Sequence, residues 1–289
     1  MTHKKILVTG SNGQLGSEIR GLSGSYPEYT FLFTDKEELS IIDEKAVNTF
    51  FDEHQPVFCI NCAAYTAVDK AEDPAERPLV DALNSDAAGY LAKACARHNA
   101  KFIHVSTDYV FDGNNTVPYK ETDITEPASV YGITKLNGEK QAAAHTDSII
   151  IRTAWVYSPY GKNFVKTMLQ LMQTRPQISV VSDQYGTPTY AADLAATIMQ
   201  IVASGKWHPG IYHYTNEGKI NWYEFALAIK EITGAACEVK AIPTSEYPTP
   251  AKRPAWSVLD KSKIREVYAI EIPDWRNSLE ACISKIRLY

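Results

Sequence analysis

Lys5-Ile6-Leu7-Val8-Thr9-Gly10-Ser11-Asn12-Gly13-Gln14-Leu15-Gly16 is a short apolar run that leads straight into three glycines spaced G-x-x-G-x-x-G. Lys5–Thr9 reads as a β-strand, Gly10–Gly16 as a tight turn, and Gln14–Leu22 as the helix that the turn opens. The alternation continues downstream. Thr30–Thr34, Val57–Cys62, Phe102–Ser106 and Ser148–Arg152 read as strands. Ala46–His54, Asp81–His98 and Val130–Ala144 read as helices between them. Short apolar strands alternating with helices predict βαβ units and an α/β fold built on a parallel sheet.

The second half is less regular. Asn163–Thr174, Ala191–Ser204 and Trp222–Gly234 have helical spacing, and Gly210–Thr215 reads as a strand. Pro243–Pro254 holds four of the 15 prolines and reads as a loop. These patterns divide the chain near residue 155. Residues 1–155 form the strand–helix region, and residues 156–289 a mainly separate one, with about 191–215 returning to the main sheet.

A chain of 289 residues with 45% hydrophobic and 22% charged residues is long enough for a sizeable core. Against 29 Lys and Arg stand 34 Asp and Glu, a net charge of −5. That balance lacks the basic footprint of a general nucleic-acid binder. No apolar run reaches the roughly 18–20 residues of a membrane span. Ile6-Leu7-Val8 is too short for a signal peptide, so the protein is expected in the cytoplasm. Five dispersed cysteines are not a disulfide framework. Cys59 and Cys62 spell C-x-x-C, but three positions apart on a strand they face opposite sides. No second Cys/His pair follows at zinc-finger spacing, so no metal site is expected from them.

Glycines at 10, 13 and 16 permit positive φ and close backbone approach. A helix N-terminus behind them offers free N–H groups and a positive dipole end to a pyrophosphate. A tight turn with no ligand carries the same glycines, so the context matters. Asp35 ends the second strand 19 residues past Gly16. An acidic residue at that distance suits a ribose 2′-hydroxyl, and therefore NAD. Lys36 follows directly and suits a 2′-phosphate, so NADH and NADPH both stay open.

Tyr131 and Lys135 lie four apart on a predicted helix and share a face. A free phenol near pKa 10 is a poor acid–base at neutral pH. A nearby ammonium is expected to lower that pKa and let Tyr131 exchange a proton with a carbonyl or alcohol. Lys135 is also placed to hold a nicotinamide ribose. The fourth strand ends in Ser106-Thr107-Asp108, 24 residues before Tyr131 at its threonine. Ligands of parallel sheets bind beyond the carboxyl ends of the strands. A hydroxyl there can hydrogen-bond and polarise a reacting oxygen.

With these motifs the chain resembles the extended short-chain dehydrogenase/reductase superfamily. Within it, the chain is similar to the dTDP-4-dehydrorhamnose reductase family through essentially its whole length. Supporting segments are Asn61–Thr66, Val68–Glu72, Ser106–Phe111, Tyr131–Glu139, Arg152–Tyr157, Asn163-Phe164, Asp183–Thr189, Pro243–Pro250 and Arg253-Pro254. The resemblance implies a Rossmann-type doubly wound parallel sheet with a smaller substrate-binding α/β region. It implies that Tyr131 donates the proton, with Lys135 and Thr107 completing the catalytic group. Gly13, Gln14 and Leu15 would approach the pyrophosphate, and Asp35 the adenosine ribose. Ser40 and Ile41 stand near the adenine, where relatives usually read Asp-Ile. Cys62, Ala63 and Ala64 line the cofactor in place of a usual Ala-Ala-Ala. Thr107, Asp108 and Trp155 would contact the sugar nucleotide. Some relatives hold magnesium at a subunit interface, with no ligands assignable here, and a homodimer is in keeping.

The implied reaction is NAD(P)H-dependent reduction of the 4-keto group of dTDP-4-dehydro-L-rhamnose. Arg253 is the candidate cation for the substrate diphosphate. A 4,6-dehydratase usually has Asp-Glu after the threonine, whereas Asp108-Tyr109 follows Thr107 here. Two alternatives remain: an epimerase of the same superfamily, and a non-catalytic subunit like the regulatory subunit of methionine adenosyltransferase.

Overall fold

The computed structural model describes residues 4–287. Residues 1–3 and 288–289, including the start of the stretch weighed as a leader, lie outside the described residues. Strand β1 (Lys4–Thr9) leads through α1 (Gln14–Leu22) to β2 (Tyr29–Thr34), and α2 (Glu44–His54) leads to β3 (Phe58–Asn61). Helices α3 (Arg77–Asp81) and α4 (Ala87–Arg97) precede β4 (Lys101–Thr107), and α5 (Val130–His145) precedes β5 (Ile149–Thr153).

Strand residues point alternately to two sides, and both sides are apolar. Ile6, Val8, Ile60, Ile103, Ile149 and Ile151 enter one core with Leu15 and Ile19 of α1. Leu7, Cys59, Phe102 and Ile150 enter the other with residues of α2, α4 and α5. Such strands can be stable only with helices on both faces. Cys59 and Cys62 accordingly diverge: Cys59 lies in the second core, and Cys62, just past β3, packs against the first.

Beyond β5 come β6 (Val156–Tyr157), α6 (Phe164–Thr174), β7 (Gln177–Val181), β8 (Tyr185–Gly186) and β9 (Thr189–Tyr190). Helix α7 (Ala191–Ala203) then brings the chain to β10 (Gly210–His213). The main sheet is six-stranded and parallel throughout, in the order β10-β5-β4-β3-β1-β2. The order reverses between β1 and β3, so a crevice opens there at the strands' carboxyl ends. Leu194, Ile198 and Met199 of α7 fill the same core as α1.

The remainder is β11 (Ile220–Asn221), α8 (Trp222–Thr233), β12 (Glu238–Ile242), α9 (Ser262–Tyr268) and α10 (Trp275–Arg287). β12 pairs with β7 in parallel, and residues of α6, α8 and α10 pack together with both in a core of their own. Asn221 and Glu224 form a reciprocal cap at the start of α8, and Gly234 ends it at φ 67°.

Residues 81–98 read in sequence as one helix, and the structure divides them. A π-helical turn, Ala82–Asp86, joins α3 to α4, with the Ala87 N–H bonded to the Ala82 carbonyl five residues back. Asn84 in this turn is fully buried. Its Oδ1 accepts from the Tyr65 amide at 2.8 Å, and its Nδ2 donates to the Tyr65 carbonyl and to Thr134 Oγ1, each at 3.2 Å.

Candidate active site

The turn after β1 is held by its own backbone. The Gly13 amide donates to the Gly10 carbonyl at 3.0 Å, and the Ser11 amide to the Thr34 carbonyl of β2 at 3.0 Å. Gly10 sits at φ 62°, and a Cβ there would lie 2.7 Å from the Ala63 backbone. A Cβ on Gly16 would lie 2.5 Å from the Gly10 carbonyl oxygen. Helix α1 begins with no side-chain cap and no acidic residue in its first turn. Its first N–H groups are therefore left for a ligand or water. This cradle fits a pyrophosphate, because no side chain of the helix's own first turn competes for its dipole.

Asp35 stands beside the turn at the end of β2. Its Oδ2 accepts from the Asn12 amide at 3.1 Å and its Oδ1 from the Lys36 amide at 2.9 Å. Lys36 is exposed and lies 3.5 Å from Glu37. Arg20 reaches back from α1 with its guanidinium over Phe33, 4.3 Å from the ring centroid, and donates to Ser11 Oγ at 2.9 Å. Leu15 and Ile41 bury their side chains in the two cores, so only backbone remains for a ligand at those positions. Gln14 is tied across the molecule: Asn163 donates to its Oε1 at 2.9 Å, and its Nε2 donates to the Val156 carbonyl at 3.4 Å. Ser40 is half-buried in an open hollow with Leu39 and Ala46. Cys62, Ala63 and Ala64 follow β3, and the Ala63 amide donates to Asn61 Oδ1 at 3.2 Å.

Across the switch point lie Thr107, Tyr131 and Lys135. Ser129 caps α5 by accepting from the Gly132 amide at 3.1 Å, which sets Tyr131 in the first turn. The Tyr131 phenol lies beside the Thr107 hydroxyl. Thr107 Oγ1 accepts from the Tyr109 amide at 3.2 Å and donates to Asp108 Oδ1 at 3.0 Å. Asp108 is fully enclosed, its Oδ2 has no hydrogen-bond partner, and burial pushes its carboxyl up to about 6 against Ser257 and Thr107. Tyr109 lies edge-on to Tyr131, centroids 5.6 Å apart.

The expected electrostatics of the pair need correction. Burial raises Tyr131 to about 12, the Thr107 hydroxyl opposing this and the Asp108 carboxylate adding to it. Desolvation of the phenolate is the largest cause, and the downward shift expected from a neighbouring ammonium does not occur. Lys135 donates to the Val105 carbonyl at 2.6 Å, and burial lowers it to about 8, with Glu139 and Cys62 opposing the fall. Tyr131 is thus a neutral phenol at working pH.

The opposite wall is assembled from distant residues. Trp155 has φ 48°, unusual for a bulky residue, and stacks on Trp222 at 3.6 Å between centroids. Gly186 lies against the same ring, where a Cβ would stand 2.7 Å from it. Arg253 is engaged rather than free. Its Nη1 and Nη2 donate to the two carboxylate oxygens of Asp69 at 2.9 and 2.7 Å.

A protein-family model described as the RmlD substrate binding domain matches residues 4–288. A dTDP-4-dehydrorhamnose reductase of Aggregatibacter actinomycetemcomitans is 42% identical over 287 residues, covering 96% of this chain and 97% of the relative. The chain belongs to the dTDP-4-dehydrorhamnose reductase family. Solved members of that family superpose closely. The Clostridium acetobutylicum reductase is 41% identical, with a TM-score of 0.93 over 98% of this chain and 99% of its own. The Bacillus anthracis reductase in complex with NADP is 36% identical, with a TM-score of 0.94 over 98% and 100%. Among the described residues, no helix is long and apolar enough to cross a membrane. Among them, no group of three or more His, Cys, Asp or Glu is arranged to hold a metal ion.

Tyr109, Asn84, Trp222, Gly186 and Asp69 were not legible as site residues. The aromatic residues have no spacing signature, and Asn84 is hidden within a helical pattern. Asp69 carries no motif chemistry of its own.

Proposed function

We propose that this protein reduces the 4-keto group of dTDP-4-dehydro-L-rhamnose to give dTDP-L-rhamnose. The observation that carries this reading is the half-buried Tyr131 phenol, neutral and beside the Thr107 hydroxyl at the carboxyl end of β4. The backbone of Gly10, Gly13, Gln14, Leu15 and Gly16 holds the cofactor pyrophosphate, and Asp35 meets the adenosine ribose. Ser40, Ile41 and the segment Cys62–Ala64 lie along the same cofactor. Bound NADPH or NADH supplies the hydride to C4 of the sugar. Tyr131 gives its phenolic proton to the C4 oxygen, and Thr107, its single hydroxyl proton turning from Asp108 Oδ1, supplies that oxygen with a second hydrogen bond. Lys135, one turn further along α5, compensates the phenolate left behind and holds the nicotinamide ribose. Asp108, being enclosed, acts on the sugar through its alignment of Thr107. Trp155 contacts the sugar nucleotide, and Arg253 its diphosphate.

Residues 1–155 form the dinucleotide region and residues 156–289 mainly the sugar-nucleotide region, with about 191–215 returning to the main sheet. The protein acts in the cytoplasm as a homodimer and takes no nucleic-acid partner. The test is an assay of dTDP-4-dehydro-L-rhamnose with NADH and NADPH in parallel. One reductant oxidised per rhamnosyl product is expected. Sugar interconversion without reductant would point to an epimerase instead, and inactivity with tight binding of a partner protein to a regulatory subunit.

A further inference from the structure

The segment Val68–Glu72 contributes no side chain to the chemistry above, yet it is tied both to the loop that carries Arg253 and to the helix that carries Tyr131. Asp69 grips Arg253, which is 184 residues away in sequence, through both carboxylate oxygens, and its Oδ1 also accepts from the Ala251 amide at 3.3 Å. Three residues on, Glu72 Oε1 accepts from the Val130 amide at 2.8 Å. Val130 is the first residue of α5 and the neighbour of Tyr131. One short segment thus ties the loop carrying Arg253 to the N-terminus of the helix carrying the proton donor.

The clasp is end-on. Nη1 gives one hydrogen bond to Asp69 and one to the Ala251 carbonyl at 3.4 Å, while Nη2 gives one to Asp69. A guanidinium has five N–H donors in a rigid plane. Among the described residues, Nε–H and the second Nη2–H have no hydrogen-bond acceptor, so the guanidinium keeps donors for a second anion. Asp69 and Arg253 both retain solvent exposure, so the pair adds little stability. The Arg253 hydrogen bond holds the Asp69 carboxyl below its ordinary range, so the clasp persists to acid pH.

We propose that Asp69 is a positioning residue for the sugar nucleotide: it fixes the Arg253 guanidinium at the cleft so that its remaining donors meet the substrate diphosphate. This rests on the proposed substrate, and the test separates the two. Asp69→Asn keeps the shape and removes the charge, and Asp69→Glu keeps the charge. Kinetics with dTDP-4-dehydro-L-rhamnose and NADPH, and the binding of dTDP alone, would be measured for both variants and for Arg253→Gln. Asp69→Asn is expected to raise the sugar-nucleotide KM and the dTDP Kd about tenfold, the scale of one lost charge-assisted hydrogen bond. Its kcat and NADPH KM should stay within about twofold, and Asp69→Glu should recover part of the loss. Unchanged dTDP binding in Asp69→Asn, or an equal rise in the NADPH KM, would overturn the proposal. If the wild type does not reduce the keto-sugar while Asp69→Asn still weakens dTDP, the substrate reading fails and the positioning role stands.

Discussion

The turn between β1 and α1 keeps its shape with backbone, whereas the facing wall depends on side chains brought from residues 69, 155, 222 and 253. Gly10 and Gly16 are each closed in by main-chain atoms. Trp155 is instead wedged between Trp222 and Gly186, and Arg253 is oriented by the carboxylate of Asp69, 184 residues away in sequence. A pyrophosphate is common to every dinucleotide, so its cradle can be generic. A sugar nucleotide must be told apart from others, and side chains are the adjustable means of doing so.

The acid–base group lies between these two walls, and it should give the largest effect. Tyr131→Phe removes the phenolic proton and should lower kcat by about 10²–10⁴-fold while leaving NADPH affinity near wild type. Near-normal turnover would remove Tyr131 from the chemistry. Next in size is the backbone cradle. Gly16→Ala forces a Cβ against the Gly10 carbonyl and should weaken NADPH binding by at least about tenfold, roughly 1.4 kcal/mol. A titration with dTDP in the same variant should be nearly unchanged. If both ligands weaken equally, the walls are not independent.

pH offers a third contrast. Burial lowers Lys135 to about 8, so its ammonium is lost as pH rises through that value. kcat should therefore fall on the alkaline side with an apparent pKa near 8, about tenfold per pH unit beyond it. An alkaline limb near 10 would show that the lysine charge is not used as proposed. The smallest effect is expected at Gly186. Gly186→Ala should push Trp155 from its stack and raise the sugar-nucleotide KM about threefold to tenfold, with the NADPH KM unchanged.

The main sheet was legible because its strands are short, apolar and separated by amphipathic helices. Gln14–Leu22 was read with the same limits the structure gives it. The two-residue strands β6, β8, β9 and β11 are too short for a period of two to register, and α9 and α10 went unread in a mixed tail. In the site, Thr107, Tyr131 and Lys135 were legible because helical spacing and strand ends carry geometry. The sign of the Tyr131 shift was not, since spacing says nothing about desolvation. The Asp69–Arg253 clasp escaped for a related reason: an ion pair spanning 184 residues leaves no local pattern.

The π-helical turn at Ala82–Asp86 has a consequence for sequence length. It accommodates one residue more than a regular α-helix would over the same rise. Deleting a single residue there would close the wide turn into a regular α-helix of the same rise, because the smaller advance per residue of a π-turn absorbs the extra one. Ala87, Leu91, Ala94 and Cys95 would still face the sheet. What would go is the wide turn that holds Asn84, and with it the hydrogen bonds to the Tyr65 backbone and to Thr134. The extra residue between Arg77 and Arg97 thus serves the placing of one buried amide, and the packing of α4 does not depend on it.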